Sequence, residues 1–393
     1  MKGAVVIGGH VQGLGIARML GIRKIPIVLM DTARYNIARY SKYCNRFIKI
    51  PYNMLESEAD FCEFLKHKSI QFDLKDYLIF PTDDQTVAYL SKNRDKLLDY
   101  YRIWTPKWDI IRYCYNKRLT YALAERNGIP IPKSYFVEDP SDLERISSTI
   151  SFPAIIKPAV MHKFYASTRV KALVVHNKQE LITKYWYAAE IIPTSEIIIQ
   201  EIIPGPAKDL YSFCSFFKDR KAIVHISGRR ARQIPMDFGK ASTYVTLVET
   251  NEIGTLSSQL LSSIGYYGLS EVEFKYDSRD GQFKLLEINP RTWKWHAISL
   301  LSGINMPYLL YCDAAGDDIS TESCTTAAET PNGKWIDEYT DLYVSAMELL
   351  QKNMTFSEYL SSIRGKKMFG SLSLDDPLPF IAETCLAPLL LRR

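Results

Sequence analysis

Glu273, Glu287 and Asn289 are the residues of this chain whose types and spacing best suit a divalent cation. Side chains two apart on a strand face the same side. In Phe283-Lys-Leu-Leu-Glu287-Ile-Asn289-Pro290-Arg291, Glu287 and Asn289 therefore project together, and Arg291 continues the alternation beyond Pro290. The run Glu271-Val-Glu273-Phe-Lys-Tyr alternates in the same way, and Asp280-Gly281 between the two runs is a hairpin turn. Carboxylate and amide oxygens grouped like this match Mg²⁺, which takes oxygen ligands and shares them with nucleotide phosphates. Taken alone, the pattern also fits a solvent-facing stripe on an antiparallel sheet.

Two lysines narrow the choice. Lys157 closes the apolar run Phe152-Pro-Ala-Ile-Ile-Lys157-Pro158, and Lys117 opens the helical run that ends at Asn127-Gly128. A lysine at a buried strand end needs an anionic partner. Two lysines, two acids, an amide and an arginine form a charge set fit for a nucleoside triphosphate with its metal, since positioning and charge neutralisation are most of what phosphoryl transfer asks of a protein. A second basic cluster, Gly228-Arg229-Arg230-Ala231-Arg232-Gln233, precedes Pro235 and Gly239. If it is extended, Arg230 and Arg232 share a face and can clamp a carboxylate bidentately; a solvated charge run on a loop is the other reading. His296 either lines the pocket or packs in the core.

The elements that must position these groups are of the α/β kind. Ala4 to Ile7 is a short apolar run that enters a glycine-rich turn, followed by Ile16 to Leu20 at helical spacing and a second apolar run from Ile25 to Met30, ending at Asp31. This is a β-loop-α-β start of a parallel sheet. Tyr77 to Phe80 is a further strand, ending in Pro81-Thr82-Asp83-Asp84 at the edge where open α/β sheets place ligands. In the glycine turn, His10 stands where a dinucleotide fingerprint needs its second glycine, so a nicotinamide- or flavin-dependent oxidoreductase is disfavoured. A tight strand-to-helix turn, or a substrate edge lined by His10 and Asp31, remains. Ser195 to Ile203 is a strand closed by Pro204-Gly205-Pro206, and two helices, Asp337 to Leu350 and Thr355 to Ile363, follow a polar connector.

In this order, Lys117 in NKRLTYALAERNGIPIPKS, Lys157 in FPAIIKPA, the segment IIIQEIIPGP and EVEFKYDSRDGQFKLLEINPRT resemble the ATP-grasp superfamily over about residues 1 to 315. Among its members the chain looks closest to uncharacterised carboxylate-amine ligases and more distantly similar to D-aspartate ligases. The resemblance implies an N-terminal parallel-sheet preATP-grasp domain (1–110), a two-subdomain ATP-grasp fold (111–190 and 191–320) and a helical C-terminal extension (321–393) of unassigned role. It implies that Lys117 and Lys157 hold the α- and β-phosphates of ATP, that Gln200, Glu201 and Ile203 form the hinge that reads adenine, and that Asp209 meets the ribose. Glu273, Glu287 and Asn289 correspond to ligands of Mg²⁺, with Mn²⁺ as an alternative, and Arg291 to the arginine near the γ-phosphate. Arg230 and Arg232 are the candidates for holding the carboxylate and its acyl-phosphate. The expected activity is ATP-dependent joining of a small carboxylate to an amine. The chain departs from the family at the flap after the second lysine: residues 158–171 contain no glycine, and Lys163, Arg169 and Lys171 stand where a glycine loop would offer N–H groups.

Bulk properties exclude other classes. The net charge of +5 over 393 residues is far from a nucleic-acid-binding charge. No apolar run is long enough to span a bilayer, and Ala4 to Ile7 is too short for a signal peptide. The seven cysteines form no CxxC pair, which favours free thiols in a reducing cytosol over disulfides or a zinc site. The expected protein is cytoplasmic, with small-molecule partners, a homodimer being compatible. An ATP-grasp kinase or carboxylase shares the same motifs, and a non-catalytic ATP-binding protein is the remaining rival.

Overall fold

The computed structural model describes residues 1–234, 241–319 and 332–390. Pro235, Gly239, Cys324 and Leu391 lie outside these described residues.

Three sheets carry the architecture. The first is parallel, ordered β3-β2-β1-β4 from β1 (Gly3–Ile7), β2 (Ile27–Asp31), β3 (Cys44–Lys49) and β4 (Tyr77–Pro81). The turn after β1 is tight for steric reasons. Gly8 has φ +107°, a conformation that favours glycine, and a Cβ on Gly13 would run into the Gly8 carbonyl oxygen. His10 caps helix α1 (Val11–Gly21), its Nδ1 accepting from the Gln12 N–H at 3.3 Å. Asp31 accepts from the Gly9 N–H and the Ala33 N–H. The turn is thus built to join strand to helix, and His10 and Asp31 are spent holding it.

The second sheet is antiparallel, ordered β5-β8-β6-β7 from β5 (Ser134–Tyr135), β6 (Ala154–Pro158), β7 (Leu173–Val175) and β8 (Ile197–Glu201). It has its own apolar core, centred on Ile156, Phe164, Leu181 and Ile199. The sequence division at residue 190 falls inside this sheet. A run of isoleucines marks a buried strand but not its partners, and β8 pairs with strands on the earlier side of that boundary.

The third sheet has seven strands in the order β13-β12-β9-β10-β11-β14-β15: β9 (Leu210–Lys218), β10 (Lys221–Ile234), β11 (Ala241–Val248), β12 (Gly268–Asp277), β13 (Gln282–Asn289), β14 (Lys334–Ile336) and β15 (Lys367–Phe369). One continuous core joins it to the parallel sheet through Phe80, Trp104, Phe216, Leu269, Trp293 and Trp335. His296 belongs to this interior. It is 1% exposed, its Nδ1 lies 2.7 Å from the Trp293 carbonyl oxygen, and burial lowers its pKa to about 4, so of the two sequence readings the core one holds.

The C-terminal extension is not only helical. It supplies β14 and β15, which lengthen the large sheet beyond β11, and three helices at Glu338–Leu350, Phe356–Ser362 and Leu378–Leu390. Buried ion pairs tie it down: Asp341 to Arg232, and Asp376, 1% exposed, to Arg18 at 2.9 Å. Among the described residues no helix is long and apolar enough to cross a membrane, and six cysteines are free.

Candidate active site

Hairpin β12–β13 sets the acidic groups opposite one another. Its register pairs Glu271 with Asn289 and Glu273 with Glu287, so all four side chains lie on one face. The Asn289 amide binds two of them, its Nδ2 donating to Glu273 Oε1 at 2.9 Å and to Glu271 Oε2 at 3.1 Å. Glu271 was not singled out from sequence, although its place two residues before Glu273 is the signal that finds it.

Cations close over these carboxylates from two other elements. Lys117 is the first residue of helix α2 (Lys117–Arg126), whose cap Asn116 accepts from the Arg118 and Leu119 N–H groups. Its Nζ lies 2.8 Å from Glu287 Oε2. From β10, Arg230 Nη2 donates to Glu273 Oε2 at 3.0 Å. Lys157, at the end of β6, donates to the Tyr121 hydroxyl at 2.6 Å, and that hydroxyl donates to the Leu286 carbonyl at 3.0 Å. No carboxylate partner of Lys157 lies within ion-pair distance among the described residues; the Tyr121 hydroxyl is what holds this buried side chain.

The titration behaviour follows from this arrangement. Lys117, and then Lys171 and Lys157 more weakly, hold the Glu287 carboxyl well below the ordinary range. Burial opposes the charge on Lys117, but Glu287 beside it more than offsets this and raises its pKa. Burial and the neighbouring Glu287 charge raise Glu273, and burial together with Glu273 raises Glu271 to about 8.

These groups border a cavity of about 380 Å³, large enough for a nucleotide, between the second and third sheets. Lys117, Lys157, Lys171, Arg230, Glu273 and Glu287 form its charged wall; Gln200 to Ala207 form the opposite edge. Gln200 is buried and donates to the Ser134 hydroxyl at 2.7 Å, while Glu201 accepts from the Tyr135 hydroxyl at 3.0 Å. Lys275, two residues beyond Glu273, donates to the carbonyls of Ile203 and Gly205, both at 2.9 Å, and so fixes the shape of the edge. Sequence reasoning passed over Lys275, though the alternation along β12 places it on the cavity face. Asp209 packs against Gly205, between the cavity-lining Ala207 and Leu210.

Two arginines stand elsewhere than expected. The register of β10 on β11 shifts between Arg230 and Arg232, so the two do not share a face. Arg230 meets Glu273, whereas Arg232, 9% exposed, pairs with Asp341 through Nε at 2.8 Å and Nη2 at 2.6 Å. Arg229 takes a third direction, donating to the Lys208 carbonyl. Arg291 donates to Asp84 Oδ1 at 2.7 Å and to Asn289 Oδ1 at 3.2 Å. It ties the parallel sheet's ligand edge to the end of β13, and neither it nor Arg232 borders the cavity among the described residues.

The donor set fits a hard divalent cation. No cluster of three or more His, Cys, Asp or Glu side chains at metal-holding distance exists among the described residues. Two facing carboxylates, with the Asn289 amide beside them able to offer its oxygen on turning over from Arg291, are, however, what Mg²⁺ needs when phosphate oxygens and water complete its shell. A cation here would relieve the repulsion that raises Glu273.

The fold is similar to that of ATP-grasp proteins. Residues 219–338 match a family model described as ATP-grasp in the biosynthetic pathway with Ter operon. The chain is 25% identical to the D-aspartate ligase of Enterococcus faecium over 241 residues, which cover 59% of this chain and 57% of the relative. Among solved structures, the biotin carboxylase domain of the Hydrogenobacter thermophilus 2-oxoglutarate carboxylase, in complex with MgADP, ADP and bicarbonate, superposes with a TM-score of 0.65 at 17% identity, covering 84% of this chain and 73% of that one. The L-amino acid ligase of Bacillus licheniformis gives 0.62 at 15% identity, covering 83% and 77%.

Proposed function

We propose that the protein is an ATP-dependent carboxylate-amine ligase acting through an acyl-phosphate. The observation that carries this reading is the meeting of Lys117, Lys157, Glu273 and Glu287 on one nucleotide-sized cavity, with Asn289 bonded to Glu273 just behind its wall. The adenine lies against the edge from Gln200 to Ile203, with Asp209 toward the ribose, and the phosphates run toward the two lysines. Glu273 and Glu287, with Asn289 beside them, would hold Mg²⁺ (or Mn²⁺), which would neutralise charge on the outer phosphates. A carboxylate oxygen of the first substrate attacks the γ-phosphorus, and the bond to the ADP oxygen breaks. Arg230, already at the metal edge, is placed to hold that carboxylate. Arg291, anchored by Asp84, positions Asn289 from behind. The amine then attacks the acyl carbon, the C–N bond forms, phosphate leaves with the C–O electron pair, and the nitrogen loses a proton. A closed cavity protects the acyl-phosphate from water. The D-aspartate ligase and L-amino acid ligase resemblances support amide formation with an amino acid among the substrates.

The carboxylase resemblance supports a second reading in which bicarbonate takes the place of the organic acid. ATP use and free cysteines support a cytoplasmic setting. The test is ADP release with Mg²⁺ over pools of amino acids and other small carboxylates, with and without amines, using Glu287→Ala as control. Release that needs both substrates and is lost in the variant supports the ligase. Release with bicarbonate alone overturns it in favour of a carboxylase, and absence of ATP binding overturns both.

A further inference from the structure

Tyr121 stands one turn after Lys117 on helix α2, so the two side chains share a face of the helix. Lys117 reaches Glu287 of β13, and the Tyr121 hydroxyl donates to the carbonyl oxygen of the adjacent Leu286 at 3.0 Å. The same hydroxyl accepts from Lys157 Nζ at 2.6 Å, and that Nζ lies 5.0 Å from the centre of the Tyr121 ring. The ring is 1% exposed and packs with Ala159, just past β6, and with Ile198 of β8. The first N–H of the helix, that of Lys117, donates to the Ala159 carbonyl at 2.9 Å. One buried side chain thus joins helix α2, β6 and β13 where two lysines and a carboxylate border the cavity. Tyr121 itself is not among the residues that line it.

The direction of these bonds follows from what each group can offer. A tyrosine hydroxyl has one proton to give, and a carbonyl oxygen can only accept. The proton therefore goes to Leu286, and the oxygen is left to accept from Lys157. The backbone of β13 sets the rotation of the hydroxyl, and the hydroxyl sets the end of a long, flexible side chain. We propose that Tyr121 is a positioning residue, which through Lys157 fixes where the phosphates of a bound nucleotide are met, in register with Lys117 and Glu287. This rests on the nucleotide reading given above. A lysine loses rotamer freedom when it meets a ligand, and a contact that orders it beforehand removes that cost from binding. The nucleoside lies at the edge from Gln200 to Ala207, which the hydroxyl does not touch. Loss of the hydroxyl is therefore felt at the phosphates and not at the nucleoside.

The test is binding of MgADP and of adenosine to the full chain, each measured by displacement of trinitrophenyl-ADP. Tyr121→Phe keeps the ring and removes the hydroxyl. It is expected to weaken MgADP by about fivefold to tenfold and adenosine by less than about twofold. Lys157→Met should weaken MgADP at least as much, and adding Tyr121→Phe to it should cost nothing further, because the hydroxyl acts through that lysine. Equal weakening of MgADP and adenosine by Tyr121→Phe overturns the proposal, as does no weakening at all. Unchanged MgADP binding in Lys157→Met, or a double variant weaker by the full product of the two single effects, overturns it too. If the unaltered chain binds neither ligand, the nucleotide reading itself fails. Thermal melting of each variant checks that the fold is intact.

Discussion

Arg230 and Arg232 stand two residues apart on β10 and have opposite fates. Arg230 reaches Glu273 at the rim of the cavity, a contact that an incoming cation or substrate can exchange. Arg232 is locked to Asp341 by two hydrogen bonds, donates to the Ser362 hydroxyl at 3.0 Å and stacks 4.2 Å from the centre of the Tyr244 ring. The cause is the irregular register between them, which turns one side chain toward the site and the next toward the C-terminal extension. The same residue type is therefore a ligand-facing charge in one place and a fastening in the other. Position relative to a bulge decides which.

The largest expected effect separates the two roles. Arg232→Ala leaves the Asp341 carboxylate buried without its partner and should cost about 3–5 kcal/mol in urea unfolding, whereas Arg230→Ala should stay within about 1 kcal/mol. Equal losses would erase the distinction. Next, Glu287→Gln should lower carboxylate-dependent ADP release by about 100-fold or more with little change in stability, because it removes a metal donor and the partner of Lys117. A variant that keeps its rate would take Glu287 out of the site.

A third effect concerns pH. The Glu271 carboxyl is raised to about 8, chiefly by burial, so the folded state holds its proton more tightly than the unfolded state. The resulting stability is complete below the ordinary glutamate range and is lost as pH rises toward 8. Melting of the metal-free protein should fall between pH 5 and about 9, and Glu271→Gln should flatten that slope; a parallel slope in the variant would assign the effect to other groups. The smallest effect repeats the arginine comparison with two acids. Asp375, 60% exposed, pairs with Lys42 at the surface, and Asp375→Ala should leave the melting temperature unchanged. Its neighbour Asp376 is buried on Arg18 and the Ser41 hydroxyl, and Asp376→Ala should lower that temperature measurably.

The residues that could be found from sequence are those governed by short-range rules. Alternation along a strand identifies Glu273, Glu287 and Asn289, and a helix start after Asn116 identifies Lys117. The parallel start of the chain follows from two apolar runs around a glycine turn. What could not be found depends on contacts across the chain. Arg232 meets a carboxylate 109 positions later, and Arg291 one 207 positions earlier. No local pattern announces either, nor does the isoleucine run of β8 state that it pairs with β6.

The place of β14 has a consequence for the order in which the protein is made. Strand β11 ends at Val248, yet its outer edge is covered only by residues 334–336, and the N-terminal Arg18 finds its carboxylate only at residue 376. A nascent chain released in sequence therefore carries an open sheet edge and an unmatched basic residue until that segment emerges. Open edges are where chains pair with the wrong neighbour. The segment that shields them follows in sequence the strand and helix it covers, which makes emergence of residues 334–376, rather than formation of the cavity, the step that secures the fold.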